Sequence, residues 1–195
     1  MVQQKAQRHF SLEKNWSDYS KKLKFNLISC NYDKASFHLI KSKKIDGIIF
    51  SGGNDLQIFD KKKENIFRDK KEKKIFNLAI RYKIPILAVC RGYQFIANIF
   101  NHKIIFIKNH VKKNHTINIV SNSLISLKKI NVNSYHNYAV LNSSKNFEII
   151  AKHKDQTIEA IYSRKNNILC LMFHPERKNI SQKIIDNLIL KHLNL

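Results

Sequence analysis

The chain has 195 residues, a length that suits one compact domain built around a single sizeable core. Hydrophobic residues make up 43% of it in repeated short blocks, which excludes a disordered chain. No block approaches the roughly 20 apolar residues of a membrane-spanning helix. The formal net charge of +22 raises a nucleic-acid role, yet the lysines are scattered among asparagine and isoleucine, with no RNP-like aromatic motif, zinc finger or recognition-helix pattern.

In chain order, Met1 to Phe10 is polar and lacks the apolar core of a secretory signal. Phe10 to Leu23 reads as a helix, Phe25 to Ser29 as a short strand, and Ser36 to Lys44 as a second helix. The apolar strand Gly47 to Phe50 runs into a turn at Ser51-Gly52-Gly53-Asn54. Lys61 to Lys63 fall in a loop, Glu64 to Tyr82 is a long helix carrying the second dense lysine run, Lys70 to Lys74, and Ile84 to Val89 is a buried strand leading to Cys90. An amphipathic stretch, Phe95 to Phe100, follows. Shorter strands are expected at Lys103 to Ile107, Thr116 to Val120, Phe147 to His153, Thr157 to Tyr162 and Ile168 to Phe173. A last amphipathic helix covers Ile180 to Leu193. This alternation predicts a single α/β domain over residues 1–195 with a mostly parallel sheet.

The three cysteines, Cys30, Cys90 and Cys170, form neither a disulfide framework nor a CxxC zinc pattern, and point to a reducing cytoplasm. Cys30 and Cys170 sit in apolar strand segments and are expected to be buried and inert. Cys90 differs, because Val89-Cys90-Arg91-Gly92 places it at a strand-to-helix corner. There the helix N-terminus favours a thiolate, and backbone N–H groups can hold an oxyanion. Of only four glycines, Gly52, Gly53 and Gly92 follow strands directly, where the chain turns tightly or a ligand approaches the backbone.

Such a cysteine needs a base, and the base needs an orienting carboxylate. Among nine histidines, His174 directly follows the strand Ile168 to Phe173, Pro175 stiffens the turn, and Glu176 can reach the other imidazole nitrogen. His110 and His115 have metal-like spacing. With no carboxylate or cysteine beside them in the sequence, neither a metal nor a cofactor is expected there.

The segments Ile49 to Leu56, Val89 to Gln94, Val132 to His136 and His174-Pro175-Glu176 resemble class I glutamine amidotransferases, and within them the gamma-glutamyl hydrolase-like, peptidase C26 branch. The resemblance spans roughly residues 45 to 180, with the motifs in family order. It implies a flavodoxin-like three-layer sandwich in which Cys90 attacks a gamma-glutamyl carbonyl, His174 carries the proton and Glu176 holds the imidazole. It further implies an oxyanion hole from the N–H groups of Gly53 and Arg91. Gly52, Asn54, Gln94, Ser134, Tyr135 and His136 would contact a small-molecule gamma-glutamyl substrate. Gln94 as an ordinary helix residue, Arg91 as a surface charge and Ser134 to His136 as an exposed loop are the plainer alternatives.

Finer details, including Asn109-His110, Asn133 to Val140 and Thr157 to Ala160, are similar to a small bacterial group of gamma-glutamyl-CDP-amidate hydrolases of capsule phosphoramidate biosynthesis. That likeness implies a nucleotide-linked substrate. Two other readings stand beside it: a glutaminase subunit feeding ammonia to a separate synthase, and a basic nucleic-acid-binding protein with a vestigial triad. The family opens with an apolar strand, whereas Met1 to Arg8 is too polar to form one. The expectation is an inner strand either absent or replaced by another segment.

Overall fold

The computed structural model describes residues 14–195. In chain order the helices are α1 (Lys14–Leu23), α2 (Lys34–Lys41), α3 (Lys63–Tyr82), α4 (Arg91–Ile99) and α5 (Gln182–Leu193). The strands are β1 (Ile48–Phe50), β2 (Ile86–Val89), β3 (Ile104–Phe106), β4 (Val111–Ile119), β5 (Lys129–Tyr135), β6 (Tyr138–Val140), β7 (Glu148–His153), β8 (Ile158–Ser163) and β9 (Ile168–Leu171). They form a nine-stranded sheet in the order β1-β2-β9-β8-β7-β4-β5, with β6 joining β3 to β8.

Alternation along the strands creates two cores, one on each face. Ile86, Ala88, Ile168 and Cys170 pack with Ile40 of α2, Ile75 and Phe76 of α3 and Ile96 of α4. Leu87, Val89, Leu169 and Leu171 point the other way, against Trp16 and Tyr19 of α1 and Ile185 and Ile189 of α5. The result is the expected three-layer α/β sandwich. β2 and β9 are buried on both faces, which explains their unbroken apolar character.

The parallel pairing expected for most of the sheet is confined to β1-β2 and β2-β9. Every other pair is antiparallel, from β8-β9 through to β4-β5, so the sheet is mixed. The reason is connectivity. Helices link β1, β2 and their neighbours, whereas residues 104–171 run strand to strand through loops too short for parallel crossovers.

Phe25 to Ser29 forms no strand. Among the described residues β1 has a single neighbour, and a cavity of about 1110 Å³ lies between its free side, Phe25, Leu27 and Leu193. Period-two alternation alone does not make a strand: this segment does not pair with the edge of β1 that is free among the described residues. Cys30, at the end of this segment, is exposed rather than buried. The polar segment Met1 to Arg8 lies outside the described residues. Among the described residues, no helix is long and apolar enough to cross a membrane.

Candidate active site

β2 delivers Cys90 to the carboxyl end of the sheet, where its N–H donates to the Leu171 carbonyl at 2.8 Å. Its backbone sits at φ 52°, ψ −106°, outside the ordinary basins of an L-residue. Strain of this kind persists only where surrounding contacts enforce it. α4 starts at once, and the Cys90 carbonyl accepts from Gln94 N. The corner is this sharp because Gly92 lies directly against β1. A Cβ there would collide with the Phe50 carbonyl.

His174 and Glu176 follow β9, the strand paired with β2, so both corners open at the same sheet edge. His174 Nδ1 lies 2.6 Å from Glu176 Oε1. Burial alone would lower the His174 pKa, but its interactions with the Cys90 thiol and the Glu176 carboxylate outweigh it and raise it to about 9. Thiol, imidazole and carboxylate therefore line up as a chain of interacting groups. A protonated imidazole in that position stabilises negative charge as it develops on sulfur.

The backbone of His174 is held from a distant strand. Asn133 on β5 accepts from His174 N at 2.8 Å and donates to its carbonyl at 2.7 Å. Asn179 donates to the same carbonyl at 3.0 Å and accepts from Asn133 N at 2.8 Å. Tyr135, also on β5, turns its ring edge-on to the imidazole with centroids 5.7 Å apart, and the Arg177 guanidinium lies over that ring at 4.4 Å.

Gly52 and Gly53 face this chain from the end of β1. A Cβ on Gly52 would lie 2.7 Å from His174 Cε1, so only glycine lets the turn approach the ring. Gly53 has φ +128°, which side chains rarely adopt. The turn is fixed from α3. Arg68 donates to the carbonyls of Ser51 and Gly52 at 2.9 and 3.1 Å, to Asn54 Oδ1 at 2.9 Å and to Glu72 at 2.8 Å. Glu72 and Asp69 also bind the Arg91 guanidinium, which is buried rather than a surface charge. One polar ladder on α3 thus anchors both backbone segments expected to supply oxyanion donors.

Sequence reading missed Arg68, Asp69, Glu72 and Asn133 as site-forming residues. The signal for the first three was a set of non-lysine charges, with Arg68 and Glu72 at i, i+4, inside a lysine-rich helix. The remaining expected residues divide. Gln94 is buried with its amide donated to the Tyr138 carbonyl at 3.2 Å. Asn54 bonds Asn65 and Arg68, which commits its side chain to the turn. Ser134 to His136 is no exposed loop: Ser134 is buried in β5 and donates to the His110 carbonyl at 2.5 Å. His136 points away from the cleft into a buried cluster with His110, His115, His153 and Glu159, where burial lowers its pKa to about 4. The premise that no carboxylate accompanies His110 and His115 therefore fails in three dimensions. Asp155 and Glu159 lie against them.

The arrangement is competent for acyl transfer: a strained thiol at a helix N-terminus, a carboxylate-held imidazole, and a fixed glycine turn opposite.

Residues 27–176 match the family described as peptidase C26. The chain is 36% identical over 142 residues to the gamma-glutamyl-CDP-amidate hydrolase of Campylobacter jejuni, covering 73% of this chain and 65% of that protein. It therefore spans just under two thirds of that relative's length. It is 28% identical over 150 residues to one component of the glutamine-hydrolysing GMP synthase of Methanococcus aeolicus, covering 70% of this chain and 67% of the relative. Among solved structures, a glutamine amidotransferase of Thermotoga maritima superposes with a TM-score of 0.71 at 12% identity, over 92% of each chain.

Proposed function

The chain belongs to the peptidase C26 family, and on that premise we propose that it is a cysteine-dependent amidohydrolase acting on a gamma-glutamyl amide. The observation that supports this most is the convergence of Cys90, His174 and Glu176 opposite the Gly52-Gly53 turn.

In this mechanism Cys90 Sγ attacks the gamma-carbonyl carbon as a thiolate, its proton already resting on the His174 nitrogen that does not face Glu176. The carbonyl oxygen gains negative charge and is held by the N–H groups of Gly53 and Arg91, each worth about 10²–10³ in rate by analogy with other oxyanion donors. His174 then gives its proton to the leaving nitrogen as the C–N bond breaks, which leaves a glutamyl thioester. Water attacks the thioester, its proton passes through His174 to sulfur, and glutamate departs.

The substrate we propose is gamma-glutamyl-CDP-amidate, yielding L-glutamate and cytidine diphosphoramidate for capsular polysaccharide modification. The Campylobacter relative supports this choice, and the net charge of +22 suits a diphosphate-bearing substrate. A second reading, a glutaminase subunit supplying ammonia to a synthase, is favoured by the similarity to the GMP synthase component.

A turnover assay on the isolated chain separates them. Release of glutamate from gamma-glutamyl-CDP-amidate, with little from free glutamine or a folate polyglutamate, supports the hydrolase. Glutamine hydrolysis that appears only with a synthase partner supports the alternative.

A further inference from the structure

The cluster of His110, His115, His136, His153 and Glu159 gathers several buried polar atoms that have no hydrogen-bond partner. Glu159 on β8 is fully buried, and neither carboxylate oxygen has a hydrogen-bond partner. His115 Nε2 lies 3.5 Å from one of these oxygens and His136 Nε2 lies 3.7 Å from the other, and both nitrogens are themselves without a hydrogen bond. His110 Nδ1 is buried and unpartnered as well. Ligand atoms of His110, His136 and Glu159 all lie within 4.8 Å of one another, as do those of His110, His115 and His153.

The opposite ring nitrogens are already occupied. His110 Nε2 bonds Asp155 Oδ2 at 2.8 Å, and His136 Nδ1 bonds the Tyr138 carbonyl at 3.1 Å. Those partners set the tautomers so that His110 Nδ1 and His136 Nε2 present lone pairs inward, which is how metal-binding imidazoles are oriented from behind. His153 stacks on His115 with centroids 4.4 Å apart, and its Nδ1 lies 3.0 Å from Asp155 Oδ1, so it packs and orients the set from outside.

We propose that this cluster is a binding site for one divalent transition-metal ion, zinc by its donor set, with His110, His136 and Glu159 as the protein ligands. Two imidazoles and one carboxylate suit a four-coordinate zinc site with a water in the fourth position, and burial of all three ligands closes it to substrate, so the role is structural. The cation neutralises a carboxylate that otherwise has no partner and satisfies His110 Nδ1 and His136 Nε2 at once. His110 directly precedes β4, His136 directly follows β5, and Glu159 lies on β8. The ion therefore ties together the antiparallel half of the sheet. It also fixes the segment bearing Ser134 and Tyr135, whose ring meets His174. The site stands on its own geometry and does not depend on which amide is cleaved.

The test is metal content and thermal stability of the full chain. After equilibration with zinc and removal of free metal, elemental analysis should find about one zinc per chain, and chelation should lower the melting temperature. His110→Ala and Glu159→Gln should each weaken zinc binding at least tenfold, while Asn114→Ala, an exposed residue on β4, retains it. Should either ligand variant fail to fold, cobalt replacement in the unaltered chain decides: a visible ligand-field band of tetrahedral cobalt, lost on adding zinc, supports the site. A folded chain with zinc at background and the same melting temperature in zinc and in chelator would overturn the proposal. So would undiminished zinc binding by both folded ligand variants.

Discussion

Asn133 grips the backbone of His174 from both sides, accepting from its N–H at 2.8 Å and donating to its carbonyl at 2.7 Å across 41 residues of sequence. The imidazole beside Cys90 is therefore positioned by a strand of the antiparallel half of the sheet as well as by its own loop. Asn133→Ala removes both bonds and strands the buried His174 N–H, while Asn179 still donates to the carbonyl. It should cost about 1–3 kcal/mol of stability. Turnover should fall about 10²-fold if the imidazole shifts by roughly 1 Å, with KM changing far less. Denaturant melts and steady-state kinetics check both.

Gly52 and Gly92 should respond differently to the same substitution. In Gly52→Ala the new methyl meets the side chain of His174 at 2.7 Å, which can move at the expense of the site. The protein should fold with near-normal circular dichroism and lose most of its activity. In Gly92→Ala the methyl meets the backbone carbonyl of Phe50, which cannot move without displacing α4 from β1. Soluble yield and melting temperature should then collapse.

Arg68 holds the Gly52-Gly53 turn and also compensates Glu72. Arg68→Ala leaves that buried carboxylate short of a partner, at a cost of about 3–5 kcal/mol, and frees the turn. Arg68→Lys should restore little, because an ammonium cannot reproduce the fork that spans the Ser51 and Gly52 carbonyls, Asn54 and Glu72. Thermal melts of the two variants should therefore fall close together and well below the parent.

The raised pKa of His174, about 9 against an ordinary 6.5, sets a pH signature. A histidine raised on folding contributes stability that is fully present below pH 6.5 and is lost as pH rises through about 9. The alkaline limb of kcat/KM should lie in the same region, where the proton for the leaving nitrogen is lost. Glu176→Gln removes the anionic partner of Nδ1 and should move that limb to lower pH. An unmoved limb would show that another group controls it.

Much of this was legible in the chain because short-range signals carried it. The run into Cys90, the Gly-Gly turn and the His-Pro-Glu corner each combine a strand with an abrupt turn, and parallel pairing of β1, β2 and β9 brings all three to one edge. What sequence missed depended on long-range partners. β5 alternates lysine and asparagine with isoleucine and valine, and its polar members look solvated until Asn133 is seen against His174. Glu72 sits among lysines yet is buried against two arginines. The histidines were judged against their sequence neighbours, whereas their carboxylate partners arrive from β8 and the turn before it. Phe25 to Ser29 misled in the opposite sense, having a strand's alternation without pairing to the edge of β1 that is free among the described residues.

The central claim is that Cys90 is the nucleophile of a glutamyl-specific site, and covalent capture tests it most directly. The folded chain is treated with a glutamine-derived chloroketone and mapped by peptide mass spectrometry, with a general thiol reagent in parallel to report exposed Cys30. The account predicts a single chloroketone adduct on Cys90, slowed by glutamate, abolished in Cys90→Ala and strongly reduced in Glu176→Gln. Absence of an adduct on Cys90, or labelling confined to Cys30 or Cys170, would contradict it.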